Sequence, residues 1–203
     1  MRPRSSMSVS LLLRYNLASK LVAILLAAMS FSCGGTRGAP EEAARPVGTT
    51  GLEITSPSFE RGKTIPSKHT CDGGDSSPPL RFGPSPAGTK TLALVCDDPD
   101  APRGTWVHWV IYNVPASARE LLEGVPTVES LPDGSLQGKN DFGRIGYGGP
   151  CPPAGTSHRY FFKLYALDTE MKLKPGATKQ ELEGQLRGHV LAQGTLIGIY
   201  SRK

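Results

Sequence analysis

The sequence predicts a single mainly β, antiparallel, sandwich-like domain with a few peripheral helices, and three observations carry that prediction. Short runs rich in β-branched and aromatic residues recur between clusters of turn formers. Nowhere do strand-like and helix-like segments alternate regularly, which argues against a doubly wound parallel sheet. Only one segment shows a clear helical period, and 24 Gly and 18 Pro in 203 residues supply the turns.

The first 50 residues stand apart from that pattern. Arg2, Arg4, Arg14 and Lys20 precede an apolar run over 21–30, followed by Phe31-Ser32-Cys33-Gly34-Gly35. A basic segment, an apolar core and small residues at the cut describe a secretory signal over 1–32. The run is shorter than the roughly 20 apolar residues that a spanning helix needs. Cys33, followed by Gly-Gly and a polar tract, resembles the lipobox of bacterial lipoproteins, although Ser30-Phe31-Ser32 replaces the usual Leu-small-small triplet. Lipidation of Cys33 is the expectation, with ordinary cleavage and an uncleaved anchor as alternatives. Each takes the protein out of the cytosol, and lipidation makes it a periplasmic or outer-membrane-anchored lipoprotein. Residues 34–50 are small, polar and rich in Pro and Gly; with Cys33 they form a tether. The folded domain is then 51–203.

Charge excludes one class of partner. The formal net charge is +5, but four of the 23 Lys and Arg residues and none of the 18 acidic ones lie in the leader. The remainder carries 19 basic against 18 acidic residues, a net charge near +1. No basic tract is left to reward phosphate contacts along a nucleic acid.

The strands follow in order. Residues 52–54 begin one. Residues 91–96 (TLALVC) form a continuous apolar run of buried-strand length. Over 107–113 the alternation places Val107, Trp109 and Ile111 on one face and His108, Val110 and Tyr112 on the other. A weak turn of helix is expected near 116–122. Residues 133–157 are unusually rich in Gly and Pro, and loops of that length are commonly functional. The run 159–167 is aromatic, with Tyr160, Phe162 and Leu164 sharing a face. A helix is expected over 179–193: Thr178 and Glu181 fit a capping box, Leu182, Leu186 and Val190 make a stripe, and Gly194 suits the stop. Residues 195–200 are a last strand.

Beyond Cys33 the cysteines are Cys71, Cys96 and Cys151. Cys96 ends an apolar run and reads as a small buried hydrophobe. Cys71 and Cys151 both lie in Gly/Pro loops and are the candidates for a bridge; three free thiols is the other reading. No C-x-x-C zinc spacing occurs.

Two polar clusters carry the functional argument. Cys96-Asp97-Asp98-Pro99-Asp100-Ala101-Pro102 runs into Trp106-Val107-His108-Trp109, and Tyr147-Gly148-Gly149-Pro150-Cys151-Pro152-Pro153 precedes His158-Arg159-Tyr160. Asp98 and His108 would meet at one sheet edge, and His158, which likewise precedes a strand, would converge on the same end of the sheet. Prolines stiffen the rim by fixing φ, and glycines let backbone amides approach a ligand. Inward backbone N–H and imidazole N–H groups would favour an anion such as phosphate, a phospholipid headgroup or sulfate. Asp97 reads as a turn cap and Asp98 as the partner of His108.

These same residues resemble the two signature regions of the phosphatidylethanolamine-binding protein family, most closely its bacterial Raf-kinase-inhibitor-like branch. His69-Thr70-Cys71-Asp72-Gly73, Ser77-Pro78-Pro79-Leu80 and Gly188-His189-Val190-Leu191 extend the resemblance over about 54–202. It implies a β-sandwich-like fold with an anion pocket lined by Asp98, His108, Tyr147, Gly149, Pro152, His158 and Tyr160. It does not imply catalysis. Eukaryotic members carry a further C-terminal helix near the pocket, whereas this chain stops at Lys203, which implies a more open pocket.

The reading is therefore an exported, non-enzymatic binding protein with no cofactor. Its partners would be a phosphate-bearing small molecule or phospholipid headgroup and a membrane through its lipid anchor; a protein target and a second copy of the chain stay open. The alternative is an inhibitor using the pocket rim against a protease or kinase. A hydrolase is a minor option, since Ser157 and His158 are adjacent and adjacent strand residues point to opposite faces. A metal site lacks compact ligand spacing. Trp106, Trp109, Phe161 and Phe162 read as core, and His69 and His189 as structural or peripheral.

Overall fold

A computed structural model describes residues 51–203, so the expected signal segment over 1–32, Cys33 and the expected tether lie outside the described residues. Among the described residues eight strands form two sheets, all paired antiparallel. The larger has five strands: β3 (Thr91–Asp98), β4 (Trp106–Pro115), β6 (Leu136–Gln137), β7 (Ser157–Leu167) and β8 (Val190–Ser201), in the order β6-β4-β3-β7-β8. The smaller contains β1 (Ile54–Thr55), β2 (Leu80–Phe82) and β5 (Glu120–Leu121). The only α-helix among the described residues, α1 (Lys179–Leu186), packs on the other face of the large sheet.

The large sheet is therefore covered on both sides. Leu92, Leu94, Trp109, Ile111, Tyr160, Phe162 and Leu164 pack towards the small sheet with Leu80, Phe82 and Leu121. Ala93, Val95, Val110 and Tyr112 pack towards Leu182 and Leu186 of α1. This explains the continuous apolar run of β3, every residue of which is buried. The expected face of Tyr160, Phe162 and Leu164 is observed. β8 lies at the end of the sheet order, and residues 52–65 run beside it. Leu52, Gly62 and Ile65 donate N–H bonds to its carbonyls, and Ile199 N–H returns one to Lys63 O.

Three local expectations are corrected. First, β4 does not alternate regularly. Cys96 pairs with Trp109 while Asp97 pairs with Val107, so His108 is an extra residue opposite β3. This β-bulge turns Val107 to the helix side, with Val110 and Tyr112, and away from Trp109 and Ile111. A second irregularity falls beside Asn113, at φ +56°, whose side chain bonds both the N–H and C=O of Met171.

Second, the helix ends at Leu186 rather than near 193. The capping box is present: Glu181 N–H donates to Thr178 Oγ1, and Thr178 N–H donates to Glu181 Oε2. Gly188, at φ +80°, supplies the left-handed turn that the sequence reading gave to Gly194. Gly194 instead lies in β8, where a Cβ would fall 1.7 Å from the Leu52 carbonyl oxygen. Third, the region near 116–122 is a turn leading into β5, not a helix.

Candidate functional site

The site forms where the C-terminal end of β3 meets the first residues of β4 and β7. Asp98 closes β3, Trp106 and His108 open β4, and His158 is the second residue of β7. A cavity of about 380 Å³ lies over them, walled by Pro102, Trp106, Phe142, Cys151, Pro152 and Pro153, with Arg103 and Arg202 also in its lining. The bulge brings His108 here: a regular ladder would have paired His108 with Asp97 on the helix side and set Val107 beside Asp98.

Asp98 partners His158 rather than His108. Its Oδ2 lies 2.7 Å from His158 Nδ1, and its Oδ1 accepts the Asp100 N–H at 2.8 Å. One carboxylate thus both closes the turn and orients an imidazole. The two groups are almost sealed from solvent, with side chains 5% and 8% exposed. His108 points its Nδ1 at the Gly148 carbonyl oxygen, 2.6 Å away. Burial holds His108 below the ordinary histidine range, against the raising influence of the Gly148 hydrogen bond and the Asp98 charge.

The wall is aromatic. Phe142 stands edge-on to Trp106 at 5.4 Å and to His108 at 5.3 Å, and Tyr160 meets His108 at 5.1 Å from beneath. The Trp106 indole N–H and the Tyr160 hydroxyl are buried with no partner among the described residues. Burial, with the Asp98 charge close by, pushes the Tyr160 phenol up, so it stays protonated.

Of the residues expected at the pocket, Asp98, His108, Pro152 and His158 line the cavity. Tyr147, Gly149 and Tyr160 stand behind its surface. Tyr147 is buried and donates its hydroxyl to His69 O at 2.7 Å. The Gly149 N–H is held by Asp75 Oδ1 at 2.5 Å, and the Gly148 N–H by His108 O. The glycine amides expected to face a ligand are thus used within the protein. A Cβ at Gly149 would strike His69 O at 2.5 Å, so close packing, not ligand approach, is what this glycine permits.

Asp97, expected to cap the turn, instead points to the helix side of the sheet. It is buried there between Lys163 of β7 and Lys179 of α1, each 2.8 Å from its Oδ2. Asp100 holds Arg159 in a two-point ion pair, which lowers its carboxyl to about 2. Cys71 and Cys151 form a disulfide that ties the pocket wall to the turn after the 3-10 segment Ser67–His69; Cys96 is free and buried. The 70–75 turn is braced further by Tyr200 and Arg202, which both bond Asp72. His69 is buried against Ser76 O and Ser58 Oγ, and His189 pairs with Asp168 at the surface.

Sequence reasoning missed Arg103, Phe142 and Arg202 and placed Trp106 in the core. Trp106 had a usable signal, since it sits two residues before His108 at the mouth end of the strand. Among the described residues no group of three or more His, Cys, Asp and Glu is placed to hold a metal ion.

A family model described as phosphatidylethanolamine-binding protein matches residues 55–201. A UPF0098 protein of Methanothermobacter thermautotrophicus is 55% identical over 143 residues, covering 70% of this chain and 93% of that relative. Another, of Aquifex aeolicus, is 51% identical over 153 residues, covering 74% and 89%. Among solved structures, a Chlamydia trachomatis protein described as a putative phosphatidylethanolamine-binding protein homolog superposes with a TM-score of 0.69 at 38% identity, covering 75% of this chain and 99% of its own. Escherichia coli YbcL, described as a member of the mammalian family, superposes with 0.70 at 33% identity, with the same coverage.

Proposed function

The chain belongs to the phosphatidylethanolamine-binding protein family, and from that premise we propose an exported, non-enzymatic binding protein whose pocket takes an oxyanion of the phosphate class. One observation carries this reading. The cavity groups the Arg103 and Arg202 guanidiniums around two buried histidines. Arg103 makes no hydrogen bond or ion pair with the described residues, so its donors are free to meet an anion at the mouth. Arg202 is held by Asp72 through Nε and brings the rest of its fork to the Cys151 wall.

A hydrolase of the serine-nucleophile type finds no support in the arrangement. Ser157 is exposed on the face opposite His158, and Asp98 and His158 aim at no serine or cysteine nucleophile. The Cys71–Cys151 bridge supports an oxidising compartment and hence export. Isothermal titration of the protein with inorganic phosphate and phosphoethanolamine tests the reading. Saturable binding, weakened about tenfold or more by Arg103→Ala, is the expected result. No measurable heat with either ligand would overturn it.

A further inference from the structure

We propose, building on the anion-pocket reading, that the site selects a phosphate monoester captured with a proton on one phosphate oxygen and discriminates against sulfate and phosphodiesters. The argument begins with the hydrogens of the two rings. A backbone carbonyl can only accept, so the Gly148 oxygen 2.6 Å from His108 Nδ1 places the hydrogen on that nitrogen. Asp98 Oδ2 does the same for His158 Nδ1 at 2.7 Å. Each ring is left with its Nε2. Neither Nε2 has a partner among the described residues, and neither is among the sealed polar atoms, so each is open on the cavity side.

An imidazole with its hydrogen on Nδ1 offers a lone pair at Nε2 unless a second proton binds. Burial of His108 opposes that second proton. The floor therefore presents an acceptor beside the buried Asp98 carboxylate, while the donors stand at the mouth: Arg103 and Arg202. A fully deprotonated oxyanion would set an oxygen lone pair against the Nε2 lone pair. An oxyanion carrying P–O–H satisfies both ends: its hydroxyl donates inward to Nε2 and its charged oxygens accept from the donors further out.

The surroundings of the rings reinforce the polarity. His108 sees Asp98 from β3, Asp141 from the long loop and the protonated Tyr160 from β7. His158 sees Asp98 and, across the turn, Asp100, whose own charge is engaged by Arg159. Carboxylates thus dominate at the floor and the cationic groups sit at the rim. Sulfate has the same shape as phosphate but no proton near neutral pH, and a phosphodiester has lost its only one. A phosphate monoester, with a second ionisation at about 6, can enter as the monoanion or take up a proton on binding.

The experiment is calorimetric titration of the full chain with methyl phosphate, dimethyl phosphate and sulfate at pH 7.5, in two buffers of different ionisation heat. The expected result is uptake of about one proton per methyl phosphate bound, with sulfate and dimethyl phosphate roughly tenfold weaker or worse. Methyl phosphate binding without proton uptake, or sulfate or dimethyl phosphate binding as tightly, would overturn this inference and leave the anion reading standing. Absence of binding by all three sinks both.

Asp98→Asn supplies a second arm. The amide oxygen would accept the Asp100 N–H, turning the amide NH₂ towards His158 Nδ1. That moves the hydrogen of His158 to Nε2, where it faces the cavity as a donor. Sulfate affinity should then rise and proton uptake fall; unchanged sulfate affinity in the folded variant counts against the tautomer assignment and overturns the inference. If the variant does not fold, the proton count on the unaltered protein decides alone. Vesicles doped with phosphatidic acid, a monoester lipid, against vesicles of phosphatidylethanolamine, a diester, separate a lipid source from a soluble one. Retention by phosphatidic acid that methyl phosphate competes away assigns the lipid; retention by phosphatidylethanolamine alone overturns the monoester inference.

Discussion

Removing the Cys71–Cys151 bridge should lower stability by several kcal/mol. The cysteines are 80 residues apart in sequence. Loop-closure entropy for a loop of that length amounts to about 15 cal/mol/K, or roughly 4.5 kcal/mol at 25 °C. Both cysteines are exposed, so serines in their place would lose little packing. The Cys71 N–H bond to Pro150 O would also survive, leaving the native loop geometry in place. The loss would then come from the freed unfolded chain, and for a domain of this size it corresponds to a fall in Tm of roughly 10–15 °C. Guanidinium denaturation of the protein and of Cys71→Ser/Cys151→Ser, followed by circular dichroism, measures it. A loss below about 1 kcal/mol would refute the entropic argument, because it would mean that the unfolded chain already holds these loops together.

Three further outcomes follow from the packing. Asp97→Ala should cost about 2–3 kcal/mol in urea denaturation, less than a fully buried pair because Lys163 and Lys179 can still reach water. Gly194→Ala should cost about 2 kcal/mol or more in the same assay, since the clash is with the Leu52 backbone, which can retreat only by breaking the Leu52–Gln193 hydrogen bond. Stability should also fall as the pH drops below the ordinary histidine value of 6.5, because burial depresses His108 and His69 in the folded state and the unfolded chain binds those protons first. Denaturation at pH 5.5 and 7.5 checks this; the Asp100–Arg159 pair begins to fail only below about 4, towards the folded value near 2, so the two effects occupy separate windows.

Much of the fold was legible because its signals are local. The apolar run of β3, the aromatic face of β7 and the Thr178–Glu181 box each depend on a few neighbouring residues. What escaped depends on partners far along the chain. Leu182, Leu186 and Val190 keep helical spacing, but Gly188 turns the chain between the second and third, and Val190 pairs with Leu167 instead. The His108 bulge is a property of β4 against β3, so alternation within β4 alone put Val107 on the wrong side. The site shows the same division. Asp98, His108 and His158 stood out by type and position, yet which ring Asp98 would hold is decided by β3 lying between β4 and β7. Arg103 and Phe142 sit in loops with no period, and only the fold carries them to the cavity.

The segment bonded along β8 has a consequence for how this chain behaves as a solution species. A 12-residue strand at the end of a sheet offers a row of free backbone groups, the template on which chains add to one another. Here residues 52–65, the first stretch after the tether, occupy that row through four backbone hydrogen bonds. The protein carries its own blocking strand, supplied from the end of the domain nearest its expected anchor. Proteolysis just beyond Ile65 would therefore do more than trim the N-terminal segment: it would uncover a pairing edge on which copies of the domain can add to one another.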